Sequence, residues 1–282
     1  MPYSVTANSD TVEVWSSVRP PFEPKGWLVD LRADVKKAVA GLSDTGLPLY
    51  ARYSSAVTGL CDVENVLFYN LGKSTFSRLA KRGLVFERAF SLSSNPPSSD
   101  LEHHLLYSQR PTSSFWRQKF ITEWSITLSD TATPRPRFDV ASIWDRLKVV
   151  DGIYPSRVVA SVYGLNLVIH APPAASLNLP AIVKSLFDGV ISSFHVYSGT
   201  KLDEVSRRIG IHLGKEPGLI KEQLLDDRMA ILGPRDLVWP FGTLGVQWNP
   251  ADDLCVKGEL SRQDSDTGWK LSGAFFELQP IN

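Results

Sequence analysis

The chain is poor in the residues that staple a protein together. Of its 282 residues only two are cysteine, Cys61 and Cys255, and only two are methionine. The cysteines stand far apart, with no CxxC and no zinc-ligand spacing around them. A disulfide-rich scaffold is therefore excluded; a reduced chain is the simplest account, and one long-range disulfide is the alternative. An excess of charge is also missing, since 30 basic residues balance 30 acidic ones. That argues against a broadly basic coat for nucleic acid but leaves room for a local basic groove. No run approaches the roughly 20 apolar residues needed to span a bilayer. No segment has the charged, apolar, small-residue order of a secretory leader, so the expected compartment is cytoplasmic. Neither GxGxxG nor GxxxxGK[ST] occurs, which removes the standard nucleotide-binding loops, and no serine sits in a GxSxG elbow.

What the chain has is apolar mass: 43% apolar residues, 10% aromatic, and eight tryptophans. This is enough for a sizeable core, and the tryptophans suit a protein partner in a larger assembly. TVEVWSSV alternates as a strand, and WLVDLRADVKKAVAGLS carries Leu28, Leu31, Val35, Ala38, Val39 and Leu42 on one helical stripe. Strands are expected at LPLYARYSSAV, LVFERAFSL, HHLLYSQRP and SSFWRQKFITEWSITL, and short helices at KSTFSRLAKRG and VASIWDRLKVV. LCVKGELS and GWKLSGAFFEL read as a closing β-hairpin around RQDSDT. Strands and helices mix without regular alternation, so the fold class is α+β, with mixed sheets and packed helices. The Ser/Pro tract at 93–100 suggests a boundary between an N-terminal half, 1–92, and a C-terminal half, 101–282.

The densest polar pattern lies between Val158 and Val238. An apolar run, VVASVYGLNLVIHAPP, precedes NLPAIVKSLFDGVISSFH, a helix with Asn178 as a candidate cap and Pro180 in its first turn. Lys184 and Asp188, four residues apart, share one face of that helix. KLDEVSRRIG and GLIKEQLLDD read as two more helices, and the acidic pair Asp226–Asp227 precedes the apolar run RMAIL, expected to be a strand. Carboxylates gathered around a lysine suit magnesium-assisted phosphodiester cleavage, because oxygen ligands hold a hard cation and the positive groups offset charge on phosphate.

This stretch resembles the RusA-type crossover-junction endodeoxyribonucleases. Members of that family carry a D-x-D-N-x-x-K-x-x-x-D motif opening a helix, then an acidic pair before the next strand. Lys184 and Asp188 match the lysine and last aspartate, and Asp226 with Asp227 match the pair. Asn178 and Pro180 fall where the family has its first two acids. In the first half, Asp62-Val63-Glu64-Asn65 is close to the missing D-x-D-N, with Phe68 at the lysine position. Two diverged, similar halves would then share a composite site, the RusA-like core lying in the second.

The candidate catalytic residues are Lys184 and Asp188, and the candidate metal ligands are Asp188, Asp226, Asp227, Asp62 and Glu64. Lys73, Arg78, Lys81, Arg82, Arg135 and Arg137 are candidate phosphate contacts. His103, His104, His170 and His195 read as core histidines; Asp252, Asp253, Asp264 and Asp266 read as solvated turn residues. The expected function is a non-catalytic, nucleic-acid-associated binding or scaffold subunit of an intracellular assembly, a degenerate nuclease. Its partners would be protein and DNA or RNA, with no membrane. The alternative is a structure-selective endonuclease that uses magnesium at a rebuilt carboxylate site.

Overall fold

Apolar periodicity sets the first helix: Leu31, Val35 and Val39 are buried along one side of α1 (Trp27–Ala40), while Lys36 and Lys37 face solvent. The computed structural model describes every residue except 56, 58, 93, 111, 130, 132–134, 151–160 and 282. Before α1 come β1 (Tyr3–Ala7) and β2 (Thr11–Ser16); after it come β3 (Leu49–Ser55), β4 (Gly83–Ala89), β5 (His103–Ser108) and β6 (Trp116–Ser129). Then follow α2 (Val140–Lys148), β7 (Tyr163–Ala171) and α3 (Leu179–Ser193). A lobe contains β8 (Val196–Tyr197), α4 (Leu202–Leu213), α5 (Pro217–Leu225), β9 (Pro234–Arg235) and the hairpin β10 (Val238–Phe241) with β11 (Gly245–Trp248). The chain ends with β12 (Cys255–Asp264) and β13 (Trp269–Pro280). The fold is α+β, as the composition of its elements implied.

Nine strands form one mixed sheet in the order β1-β2-β5-β3-β4-β12-β7-β13-β6. Within it the same topology occurs twice. In the first half β3 and β4 are parallel, and β5 lies antiparallel between β2 and β3. In the second half β7 and β12 are parallel, and β13 lies antiparallel between β6 and β7. A helix joins the first two strands of each unit, α1 between β2 and β3 and α2 between β6 and β7. The units meet at β4 and β12, which run antiparallel with Phe86 opposite Gly258. The first unit therefore continues past the 93–100 tract through β5.

The repeat overturns the expected closing hairpin. β12 and β13 do not pair; β7 lies between them. The short connection after β12 passes around the end of β7, where the Ser265 amide donates to the Ala171 carbonyl. Strands lie about 4.8 Å apart, so a few extended residues span the gap. Two further expectations change. Residues 228–232 fold as turns that bury Met229 and Ile231 instead of a strand, and KSTF forms only a 3-10 turn, Lys73–Phe76.

Side chains of α1, the short helical segments after β3, and α3 fill one core with the inner face of the sheet, including Phe68, Phe86, Phe187 and Phe275. A smaller cluster of Trp144, Val205, Ile209, Ile220 and Leu224 binds the lobe to α2. No helix among the described residues is long and apolar enough to cross a membrane. Cys61 and Cys255 are both buried and free.

Candidate metal centre

Each unit also has a helical segment after its second strand, after β3 in one and α3 after β7 in the other, and these two approach each other. In the first, Asp62 accepts from the Asn65 amide at 3.2 Å through Oδ1 and so starts a π-helical turn, Asn65–Tyr69. This leaves Asp62 Oδ2 directed at α3, while Glu64 is 3% exposed. In the second, Asn178 does not cap α3; its Oδ1 accepts from the Ser77 hydroxyl at 3.0 Å, and Pro180 occupies the first turn. One turn further on, Lys184 projects into the carboxylates.

Lys184 Nζ donates to Asp62 Oδ2 at 2.6 Å, Asp252 Oδ2 at 2.6 Å and Asp188 Oδ1 at 2.9 Å. Glu64 Oε1 lies 3.4 Å from the same nitrogen but has no hydrogen-bond partner among the described residues. Asp62, Glu64 and Asp252 can each offer one oxygen, all within 4.8 Å of one another. Four carboxylates thus surround one ammonium, and that excess negative charge must be met by protons or by another cation.

The groups respond accordingly. Burial, opposed by Lys184, pushes the Asp188 carboxyl up to about 7 and that of Asp252 up to about 6. Burial and then the neighbouring Asp62 raise Glu64 well above the usual carboxylate range. Burial also works against the Asp62 charge, but a hydrogen bond with Glu64 and the attraction of Lys184 outweigh it and hold Asp62 low. Burial alone would lower Lys184; Glu64, Asp188, Asp62 and Asp252 together raise it.

Asp252 was missed in the sequence because it looked like a solvated turn residue. Its position comes from the backbone of Ala251, gripped on both sides. The Tyr163 hydroxyl donates to the Ala251 carbonyl at 2.8 Å, and the Ala251 amide donates to His195 Nε2 at 3.3 Å. A signal was present: Asp252–Asp253 is an acidic pair standing directly before the strand β12. The pair expected to fill that role, Asp226–Asp227, lies elsewhere. Asp226 is engaged by Arg228 at 2.9 Å, and its carbonyl accepts from Lys148. Neither Asp226 nor Asp227 has a contact with Lys184.

Phe68, which falls where the first unit would carry its lysine, is fully buried against Phe76 and Phe86. Among the described residues, only the second unit therefore brings a lysine to this helix pair. Beside it is a cleft of about 320 Å³ lined by Glu64, Asn65, Phe68, Tyr69, Pro180 and Lys184, among others.

The candidate phosphate contacts divide. Arg78 donates to the Ala40 and Leu42 carbonyls at the end of α1, and Lys81 lies 3.9 Å from Asp44. Arg82 is exposed, and the Lys73 side chain lies outside the described residues. Arg135 and Arg137 share a separate cleft with Arg146. Among the histidines, His103, His104 and His195 are buried, and burial lowers the pKa of each. No protein-family model, curated protein or solved structure matches this chain.

Proposed function

We propose that the chain is a magnesium-dependent phosphodiesterase acting on nucleic acid, with a composite active centre assembled from both units. The observation that carries this reading is the partly buried three-oxygen cradle of Asp62, Glu64 and Asp252, in which Glu64 Oε1 is ion-paired with Lys184 at 3.4 Å but accepts no hydrogen bond among the described residues. A hard divalent cation takes oxygen ligands of this kind, and to be held there it would displace Lys184 Nζ from Asp62 and Asp252. When bound, such an ion supplies Lewis-acid stabilisation of a phosphoryl oxygen and a more acidic water. Lys184, freed from those carboxylates, would offset charge on the phosphate, and Asp188, hydrogen-bonded to Lys184 and raised by burial, is placed to exchange a proton. The RusA resemblance supports the same reading. The first two acids of the family motif correspond to Asp62 and Glu64 from one unit, the lysine and last aspartate to Lys184 and Asp188 from the other. The family's acidic pair then corresponds to Asp252–Asp253.

A second reading rests on the hydrogen bonds of Lys184, whose three donors are all taken by carboxylates. In it the cluster is a buried ion-pair hub in a non-catalytic subunit that binds nucleic acid or a protein partner. Incubation with branched, duplex and single-stranded DNA and RNA in magnesium or manganese separates the two. Cleavage that disappears with chelator and in Asp62→Asn and Asp252→Asn variants supports the enzyme. Intact substrates under all these conditions leave the hub.

A further inference from the structure

A second polar cleft, of about 690 Å³, opens where the end of β6, the segment entering α2, α2 itself and the end of α4 meet. Its charged lining is Arg135, Arg137, Arg146, Lys215 and Asp145. Lys215 Nζ contacts both Asp145 oxygens, at 2.6 and 2.8 Å, so those two charges cancel and pin α4 to α2. Nearby Asp139 is taken up by Ser142 and His212. Three arginines remain. Arg135 lies over the Phe138 ring at 5.6 Å, and among the described residues its one hydrogen bond, at 3.5 Å, goes to the Ser176 carbonyl. Arg137 and Arg146 have no ion pair or side-chain hydrogen bond among the described residues, and both are exposed. In a chain of zero net charge this is a local concentration of uncompensated positive charge.

We propose that this cleft is an oxyanion site that takes phosphate groups. Planar guanidinium forks match the oxygens of a phosphate better than a diffuse surface of lysines does. Two sources share that chemistry, the backbone of a nucleic-acid strand and a free pyrophosphate or nucleotide. The site uses none of the residues of the carboxylate centre, so it stands whether or not that centre cleaves.

The test compares wild type with the Arg137→Ala/Arg146→Ala double variant and with Arg146→Glu. Both positions are exposed, and thermal melts should show the fold unchanged. Binding of a fluorescent single-stranded oligonucleotide is followed by anisotropy across a salt series, without divalent metal. Pyrophosphate binding is followed by calorimetry. A strand ligand should bind wild type at least about tenfold more tightly than the double variant at low salt. Its salt slope should fall by about 1.4 in the variant, for two lost contacts to a single strand. Pyrophosphate binding that the variants abolish, with no oligonucleotide binding, supports the site and assigns it to free phosphates. Equal affinity and slope in wild type and variants, or binding of neither probe to wild type, overturns it.

Discussion

Lys184 Nζ lies 2.6 Å from Asp62 Oδ2 although the two residues stand 122 positions apart, one on α3 and the other at the start of the helical turn after β3, in two topologically matching units. Replacing Lys184 by methionine removes the ammonium and leaves four carboxylates facing one another. Loss of one partner from a buried ionic cluster costs about 3–5 kcal/mol. The variant should melt well below wild type in chelator, and magnesium should recover part of the loss. A melting temperature unchanged by the substitution would show that the lysine is not neutralising the cluster.

The grip on Ala251 makes Tyr163 a positioning residue. Tyr163→Phe frees a carbonyl next to Asp252 without touching a carboxylate. Outer contacts of this kind typically change metal affinity by about 10–100-fold. Calorimetry should find weaker magnesium binding in a chain that still melts cooperatively; equal affinity would remove Tyr163 from the site.

His195 predicts an acid limit. Its ring faces the Gly233 carbonyl at 3.0 Å through Nδ1 and accepts from the Ala251 amide through Nε2, an arrangement that requires the neutral ring. Burial, helped by Arg235 and Lys148, lowers its pKa to about 4, while the Gly233 carbonyl opposes the shift. Because the folded value is depressed, the unfolded chain binds more protons between about 6.5 and 4. The stabilisation is complete above pH 6.5 and is lost as the pH falls through this window, by about 3 kcal/mol at most. His195→Gln should flatten that part of the stability profile relative to wild type, as measured by urea melts at each pH. Parallel profiles would contradict the assignment.

Much of the fold was legible in the sequence because single elements obey local rules. The stripe of Leu31, Val35 and Val39 and the alternation of β6 depend on burial of one face, which periodicity reports directly. The pairing of strands does not. Nothing local tells β12 and β13 to admit β7 between them, and so the expected hairpin was wrong. The site divided in the same way. Asp62, Glu64, Lys184 and Asp188 carried motif spacing, whereas Asp252 reaches them only through tertiary contacts around Ala251. The turn at 228–232 shows the limit of reading an apolar run after an acidic pair as a strand, because turn residues can also be buried.

Gly258 marks the junction of the two units. A Cβ there would fall 2.1 Å from Phe86 Cζ and 2.7 Å from Phe187 Cε1, inside a packed core. Overpacking of this kind typically costs about 1–3 kcal/mol. Gly258→Ala should lower the denaturation midpoint, and adding Phe86→Leu should restore part of it. A fully additive double variant would mean that the two residues do not meet.

The composite centre is tested most directly by manganese binding to wild type, Asp62→Asn and Asp252→Asn, followed by electron paramagnetic resonance with calorimetry. Wild type should bind the ion, magnesium should compete for it, and each substitution should weaken binding at least about tenfold, since one carboxylate comes from each unit. A wild-type chain that binds no manganese, or variants that bind it as wild type does, would contradict a metal centre shared between the two halves.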